Sequence, residues 1–367
     1  MLHALMKHPA PRRVRLHLTA IPYLILASSG RKCSSIRTAR FRDEDWAPRG
    51  ISPGQGAVVS VSYENKRLGV ASRKAERRGK MDISEPAIKK EDILFLTDEN
   101  FNKNNVCIVS GAGTGIGRAV AIAAGANNLL VVGLDFNEEE GKKTQKMVGD
   151  LGGQMSFVKT DLTVDEDIEN AVSEAAKMGT IKYLANIAGI QHIDAIENFP
   201  MEKYDYMQRL MLRAPFYLSK LTIPHMKKSS DAMGVIGNMT SVHAHICTLN
   251  KPAYNITKFG LRALTQSIAA EGEGKIRAFS VSTGFVKTAL ALKQIPAQAE
   301  QRGITHEEVV RDVMMGFSRI KEMMAPIEVA NLFVFGFSRF ARYLTGGDLL
   351  FDGGMVLTYS EKKGESE

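Results

Sequence analysis

The feature that most restricts this chain is one short stretch, residues 105–135. Asn105–Ser110 (NVCIVS) is a β-rich apolar run. Gly111-Ala112-Gly113-Thr114-Gly115-Ile116-Gly117 follows, then a helix-forming stretch, Arg118–Ala124. A second apolar run, Leu129–Leu134, ends in Asp135. Strand, glycine-rich turn, helix, strand and acid in this order suit a dinucleotide. Glycines let the turn close and let backbone approach a pyrophosphate. The helix N-terminus offers free N–H groups and a positive dipole end. Asp135, 18 residues after Gly117, is placed to accept from the adenine-ribose hydroxyls and would repel a 2′-phosphate. Phe136 and Asn137 follow it, so no adjacent cation offsets the acid. The expected cofactor is NAD rather than NADP, cradled by Gly111, Thr114, Gly115, Ile116, Gly117 and Asp135.

The alternation continues down the chain. Met155–Lys159 reads as a strand ending at Asp161-Leu162, and Val164–Met178 as a helix. Tyr183–Ile187 reads as a strand running into Ala188-Gly189, and Met201–Lys228 as one long helix. Gly234–Met239 (strand), Tyr254–Gly272 (helix) and Ile276–Val281 (strand) complete the pattern. Repeated βα units with apolar strands predict an α/β fold, a Rossmann-like doubly wound parallel sheet with helices on both faces. One domain over residues 81–367 accommodates it. The Gln-, Glu- and Arg-rich segment Thr288–Lys321 interrupts the pattern and reads as a helical substrate lid.

Charge is unevenly spread. The net charge is +8, yet residues 1–80 hold 17 Lys+Arg and five acids, which leaves −4 on the rest. The basic excess that suggests a nucleic-acid or membrane-surface partner therefore belongs to the front segment alone. That segment holds five prolines and no sustained period, so it reads as disordered. Its apolar run Leu16–Ala27 contains His17 and Pro22 and is too short to span a bilayer. Glu76-Arg77-Arg78-Gly79-Lys80, just before Met81, is what a purine-rich ribosome-binding sequence would encode if both arginines use AGG codons. Residues 1–80 are accordingly read as translated upstream DNA, with arginine codons of the CGN type at 77 and 78 removing the case. The expectation is a cytoplasmic enzyme without nucleic-acid or membrane partners. The alternative is a mitochondrial matrix protein, because residues 1–42 carry nine basic residues and no acid. Three cysteines (Cys33, Cys107, Cys247) without metal-ligand spacing point to a reducing compartment and no metal site.

The catalytic candidates lie further on. The strand Gly234–Met239 runs into Thr240-Ser241-Val242-His243, and Tyr254 and Lys258 follow at i and i+4, on one helix face. An ammonium beside a phenol is expected to lower its pKa from about 10 toward use as a general base. A second Tyr-x-x-x-Lys, Tyr359 and Lys363, stands in the polar tail and reads as a solvated end.

These pieces resemble the short-chain dehydrogenase/reductase family. The resemblance rests on Ser110-Gly111-x-x-x-Gly115-Ile116-Gly117, Asp135, Asp161, Asn186-x-Ala188-Gly189, Ser241, Tyr254-x-x-x-Lys258 and Phe351-Asp352-Gly353-Gly354. It covers about residues 100–356. It implies hydride transfer with nicotinamide, Tyr254 as acid/base, Lys258 tuning it and holding the ribose, and Ser241 orienting the substrate. It also extends the cofactor set to Asp161, Leu162, Asn186, Ala188, Gly189, Gly284, Val286 and Thr288, and implies a homotetramer.

Further stretches resemble the D-3-hydroxybutyrate dehydrogenases of that family: Ala188-Gly189-Ile190-Gln191-His192, Ser241-Val242-His243 with Lys251, Leu292-Lys293-Gln294-Ile295, and Glu307–Met315. The resemblance implies that Gln191, His243, Lys251 and Gln294 surround a substrate carboxylate. A small anionic 3-hydroxy acid needs a cation and several donors, which these residues supply. His192 and His245 read as structural or exposed. Three positions depart from the family. Met211 stands where an Asn holds the water of the proton relay, Asn186-Ile187 replaces Asn-Asn, and Thr283-Gly284 replaces Pro-Gly.

Overall fold

A computed structural model describes residues 84–229 and 231–357. The front segment and the Tyr359/Lys363 pair lie outside the described residues.

The chain alternates as the apolar runs predict. β1 (Asn105–Ser110) leads to α1 (Gly115–Ala126), β2 (Leu130–Asp135), α2 (Glu138–Asp150), β3 (Gln154–Lys159), α3 (Asp165–Met178) and β4 (Thr180–Asn186). Then come α4 (Met201–Gln208), α5 (Ala214–Lys228), β5 (Gly234–Met239), α6 (Pro252–Glu271) and β6 (Ile276–Thr283). The last part holds α7 (Ala289–Leu292), α8 (Gln294–Arg302), α9 (His306–Glu308), α10 (Pro326–Phe337) and β7 (Asp348–Phe351). The seven strands lie parallel in the order β3-β2-β1-β4-β5-β6-β7. This is the Rossmann-like doubly wound sheet, and its winding reverses between β1 and β4.

Period-two alternation sorts side chains to two cores. Cys107 and Val109 of β1 pack with Ala119–Ala124 of α1 and with Phe333 and Phe337 of α10. Val106 and Ile108 face the other way, onto Ile168 and Val172 of α3 and Leu218 of α5. Arg277 of β6, 5% exposed, donates to the carbonyls of Gly336, Phe337, Ser338, Ala341 and Leu344 at 3.0–3.4 Å. It thereby satisfies carbonyls that the end of α10 leaves open.

The sheet reversal opens a crevice at the carboxyl ends of β1 and β4. Ser110 Oγ ties the two strand ends by accepting from Ile187 N (2.9 Å) and Ala188 N (3.3 Å). Gly111 follows at φ +68°, and a Cβ there would stand 2.8 Å from Ala188 Cα. Only glycine fits both demands.

Two elements gain detail. The helix expected over 201–228 is continuous in backbone conformation, and a π-helical turn, Arg209–Arg213, is inserted between α4 and α5. Pro215, two residues beyond the turn, has no N–H for the carbonyl of Met211 and so interrupts the α-helical ladder there. The segment expected to form a helical lid holds α7, α8 and α9 followed by a π-turn, Val309–Met314. These pieces share a core of Leu292, Ile295, Val309, Val310 and Met314. Gly303, at φ +64°, ends α8, and a Thr305/Glu308 capping box starts α9.

Residues 84–104 run as a strap across α1 and α10. Asn127 and Asn331 grip its backbone, receiving Leu96 N at 2.9 Å and Leu94 N at 2.8 Å. Nothing in the sequence reading anticipates this strap. Among the described residues no helix is long and apolar enough to cross a membrane.

Candidate active site

The nucleotide side begins at the turn after β1. A Cβ on Gly117 would overlap Gly111 O at 1.9 Å, so α1 starts pressed onto the strand end. Thr114 is the N-cap yet makes no side-chain cap, and no acid occupies the first turn of α1. The N–H groups of Gly115 and Ile116 therefore keep their dipole end unneutralised by their own helix. Asp135 closes β2, with one oxygen receiving Gly113 N at 2.8 Å and the other Asn137 N at 2.9 Å. A Cβ on Gly113 would lie 2.8 Å from that carboxylate. This small-residue cradle with an oriented acid fits a dinucleotide.

The remaining nucleotide-side residues are less uniform. Asn186 donates to Asn238 Oδ1 at 2.8 Å, while its own Oδ1 is buried without a partner. Ala188 and Gly189 follow β4 at the crevice. Leu162 is buried in the α3 core. Asp161 is exposed, and its carboxylate closes a local turn by accepting from Thr163 N (2.9 Å) and Thr163 Oγ1 (2.7 Å). Gly284 and Val286 lead from β6 toward the lid, where Val286 bridges to Met324. Thr288 caps α7 and touches the cradle: a Cβ on Gly115 would meet its methyl at 3.2 Å.

Two residues near the cradle escaped the sequence reading. Arg118 of α1 donates to Gly113 O and Thr144 Oγ1 and pairs with Glu140. A cation thus does stand beside the Asp135 turn, one helical turn from the glycines rather than next to the acid, and Glu140 neutralises it. Glu85 of the strap accepts from Ala289 N at 2.6 Å, and its Oε1 would lie 3.8 Å from a Cβ on Gly115. Long-range pairs of this kind leave no local signal.

The candidate catalytic residues lie on neighbouring elements. Ser241 sits just past β5 and starts a 3₁₀ turn, Val242–Ala244. Pro252, at the first position of α6, starts the helix that carries Tyr254 and Lys258. The Lys258 ammonium lies 5.3 Å from the Tyr254 ring centroid and donates to Met239 O at 2.8 Å. Burial holds Lys258 down to about 8.

One electrostatic expectation is reversed. Burial pushes the Tyr254 phenol up, and a hydrogen bond with Ser241 pulls it down less. Desolvation of the phenolate outweighs the helix spacing.

The candidate substrate-side residues fall into two pairs, His243 with Lys251 and Gln191 with Gln294. His243 Nδ1 lies 3.0 Å from Ser241 Oγ, and its ring packs edge-on to Tyr254 with centroids 5.3 Å apart. Burial, then Lys251 and Lys258, holds His243 down to about 4. His243 is therefore neutral near pH 7, which leaves Lys251 as the cation of the expected set. Lys251 begins α6 as its N-cap residue and is half-buried. Burial lowers its pKa, and it has no carboxylate within ion-pair distance among the described residues. Gln294, first in α8, reaches Gln191 Oε1 at 3.5 Å across 103 residues of chain.

Met211 is fully buried in the π-turn. It packs with Met207, Ala253 and Tyr254, and its sulfur would lie 3.2 Å from a Cβ on Gly189. His192 packs edge-on to Phe199 at 5.1 Å with a buried, unpartnered Nε2. His245 is not exposed but bonded to Asp348 at 2.8 Å. Cys247 is exposed and Cys107 buried.

Fold and site together define an α/β oxidoreductase with a Ser–Tyr–Lys centre beside a glycine-rich nucleotide cradle. Residues 111–356 match the family model of the short-chain alcohol dehydrogenase type described as enoyl-(acyl carrier protein) reductase. The chain belongs to the short-chain dehydrogenase/reductase family. It is 32% identical over 251 residues to a D-beta-hydroxybutyrate dehydrogenase of Rhizobium meliloti, covering 67% of this chain and 96% of that one. It is 31% identical over 249 residues to the D-beta-hydroxybutyrate dehydrogenase of Cupriavidus necator, covering 67% and 95%. The fold is similar to that of a short-chain type dehydrogenase/reductase from Mycobacterium marinum, with TM-score 0.63, 22% identity, and coverage of 70% and 98%.

Proposed function

We propose that this chain is an NAD-dependent dehydrogenase acting on a small 3-hydroxy acid, with D-3-hydroxybutyrate and acetoacetate as the preferred pair. The observation that carries the substrate class is Lys251. It is a half-buried cation without an acidic partner, close enough to His243 to depress its titration, and three residues before Tyr254. A cation so placed suits a carboxylate, and the Gln191 and Gln294 amides add donors. The choice of D-3-hydroxybutyrate is supported by the names of the two relatives that are D-beta-hydroxybutyrate dehydrogenases.

Gly111, Thr114, Gly115, Ile116, Gly117 and Asp135 would hold the dinucleotide, which when bound supplies the hydride acceptor. Asp135 supports NAD over NADP, since a 2′-phosphate would meet its carboxylate, and the nearby Arg118 is already paired with Glu140. Ser241 Oγ holds the substrate oxygen, and Tyr254 Oη exchanges a proton with that oxygen. Lys258 uses one N–H on Met239 O and retains two for ribose hydroxyls. Neutral His243 orients the Ser241 hydroxyl. The α7–α9 lid excludes water and brings Gln294 to Gln191.

A homotetramer and a cytoplasmic location belong to the same proposal. Phe216 of α5 and Ile256 and Phe259 of α6 are exposed apolar residues suited to a second copy; light scattering tests this. A second reading rests on Met211, whose thioether cannot hold a relay water: a related dehydrogenase with another hydroxylated substrate, or a cofactor-binding protein with weakened turnover. A spectrophotometric NADH assay with D-3-hydroxybutyrate and a panel of hydroxy acids separates them. Dinucleotide binding without turnover of any of them favours the second reading.

A further inference from the structure

The loop that carries Ser241 is anchored by a buried polar cluster that the chemistry above does not use. We propose that Asp348, His245 and Arg262 form a positioning clamp that fixes the Ser241 loop against the Tyr254/Lys258 helix, an inference that rests on the Ser–Tyr–Lys reading of the site.

Asp348 opens β7, and its side chain is only 7% exposed. One carboxylate oxygen receives His245 Nε2 at 2.8 Å. The other receives Ser282 Oγ at 3.0 Å, Thr240 Oγ1 at 3.4 Å and the Ser280 hydroxyl. No Lys or Arg pairs with it among the described residues. A buried carboxylate needs this many donors to remain an acceptor. In the tautomer that donates from Nε2, Nδ1 is an acceptor. Arg262 donates to it, with its NH1 3.2 Å from His245 Nδ1 and 3.1 Å from Ala244 O. Both ring nitrogens are therefore committed, and one tautomer satisfies both partners.

The clamp joins the two halves of the catalytic centre. His245 follows the 3₁₀ turn Val242–Ala244, which begins at Ser241. Arg262 lies on α6 at i+8 from Tyr254 and i+4 from Lys258, on the same helix face. Asp348 fixes His245 to the sheet, and Arg262 fixes α6 to His245. Together they set the separation of Ser241 Oγ and Tyr254 Oη, which must meet one substrate oxygen. A displacement of about 1 Å in such a pair costs on the order of 100-fold in rate.

The test uses the full chain and its His245→Leu, Arg262→Leu, Arg262→Lys and His245→Leu/Arg262→Leu variants. Hydrogen exchange is read at the amides of residues 242–246, beside kcat, KM and thermal midpoint. The two Leu variants are expected to lower kcat by roughly 30- to 100-fold while the dinucleotide KM stays within about twofold. Exchange at 242–246 is expected to rise about tenfold, with β5 and β6 still protected. The double variant is expected to be no slower than the worse single, because both break one linkage. Arg262→Lys restores a donor and most of kcat. Unchanged exchange at 242–246 overturns the clamp, as does exchange that rises equally in β5 and β6 with a matching fall in thermal midpoint. If the wild type turns over no hydroxy acid, the exchange result still decides the clamp, and the failure falls on the functional reading instead.

Discussion

His243 Nδ1 stands 3.0 Å from Ser241 Oγ, and on its far side His243 Nε2 stands 2.9 Å from Thr248 Oγ1. The imidazole is a buried neutral bridge that orients the serine hydroxyl.

That bridge makes stability depend on acid. Burial, with Lys251 and Lys258 adding repulsion, holds His243 down to about 4 from an ordinary 6.5. Between those values the folded chain binds fewer protons than the unfolded one, so stability falls as pH drops from 6.5 toward 4. The full loss is about 3 kcal/mol. Urea unfolding at pH 7 and near pH 4.5 should show His243→Gln losing about 2 kcal/mol less than the wild type over that range. Equal losses would mean that His243 is not held neutral.

Much of this architecture is legible in the sequence because its causes are local. Gly111 and Gly117 are demanded by close backbone approach, and the apolar runs by two-sided burial of parallel strands. Tyr254 and Lys258 share a face through helix geometry alone. The illegible parts have non-local causes. Arg118 meets Glu140 across 22 residues, and Glu85 meets Ala289 across 204. The π-turn at Arg209–Arg213 has a local cue in Pro215, which lacks the N–H for Met211 O, although its exact form is not written in residue spacing. The sign of the Tyr254 shift follows from how deeply packing buries the phenol, which residue spacing does not carry.

Asp135 should govern cofactor choice. Its carboxylate is oriented by Gly113 N at 2.8 Å and Asn137 N at 2.9 Å, and the nearby cation, Arg118, is already paired with Glu140. Asp135→Ala is expected to weaken NAD binding about tenfold, the loss of one charge-assisted hydrogen bond, and to leave NADP bound as well or better. Titration calorimetry with both dinucleotides reads the ratio. An unchanged ratio would remove Asp135 from the selectivity.

Met211 should limit turnover. It is fully buried against Met207 and Ala253, at the position where a relay amide is expected. Met211→Asn introduces a donor and an acceptor into an apolar cluster, so a stability loss of about 1–3 kcal/mol is expected. If a water-held proton route is the missing element, kcat nonetheless rises by about tenfold, within the range of general acid–base effects. Stopped-flow and steady-state rates on the same preparation separate the two. A stability loss without any gain in kcat would show that proton delivery is not limiting.

Glu85 should oppose cofactor binding. Its carboxylate holds Ala289 N at 2.6 Å and faces the Gly115 turn, where Thr288 also touches the cradle. A diphosphate seeks the unneutralised N–H groups of α1, close to where this carboxylate stands. Two anions cannot share that end of the helix without repulsion of about 1 kcal/mol in a partly solvated site. Glu85→Gln keeps the size of the side chain and removes its charge. Calorimetry should therefore show NAD binding about fivefold tighter, with a gain that shrinks as salt is raised. Weaker binding in Glu85→Gln would mean the opposite role, with the strap bracing Thr288 and the start of α7 for the cofactor rather than competing with it.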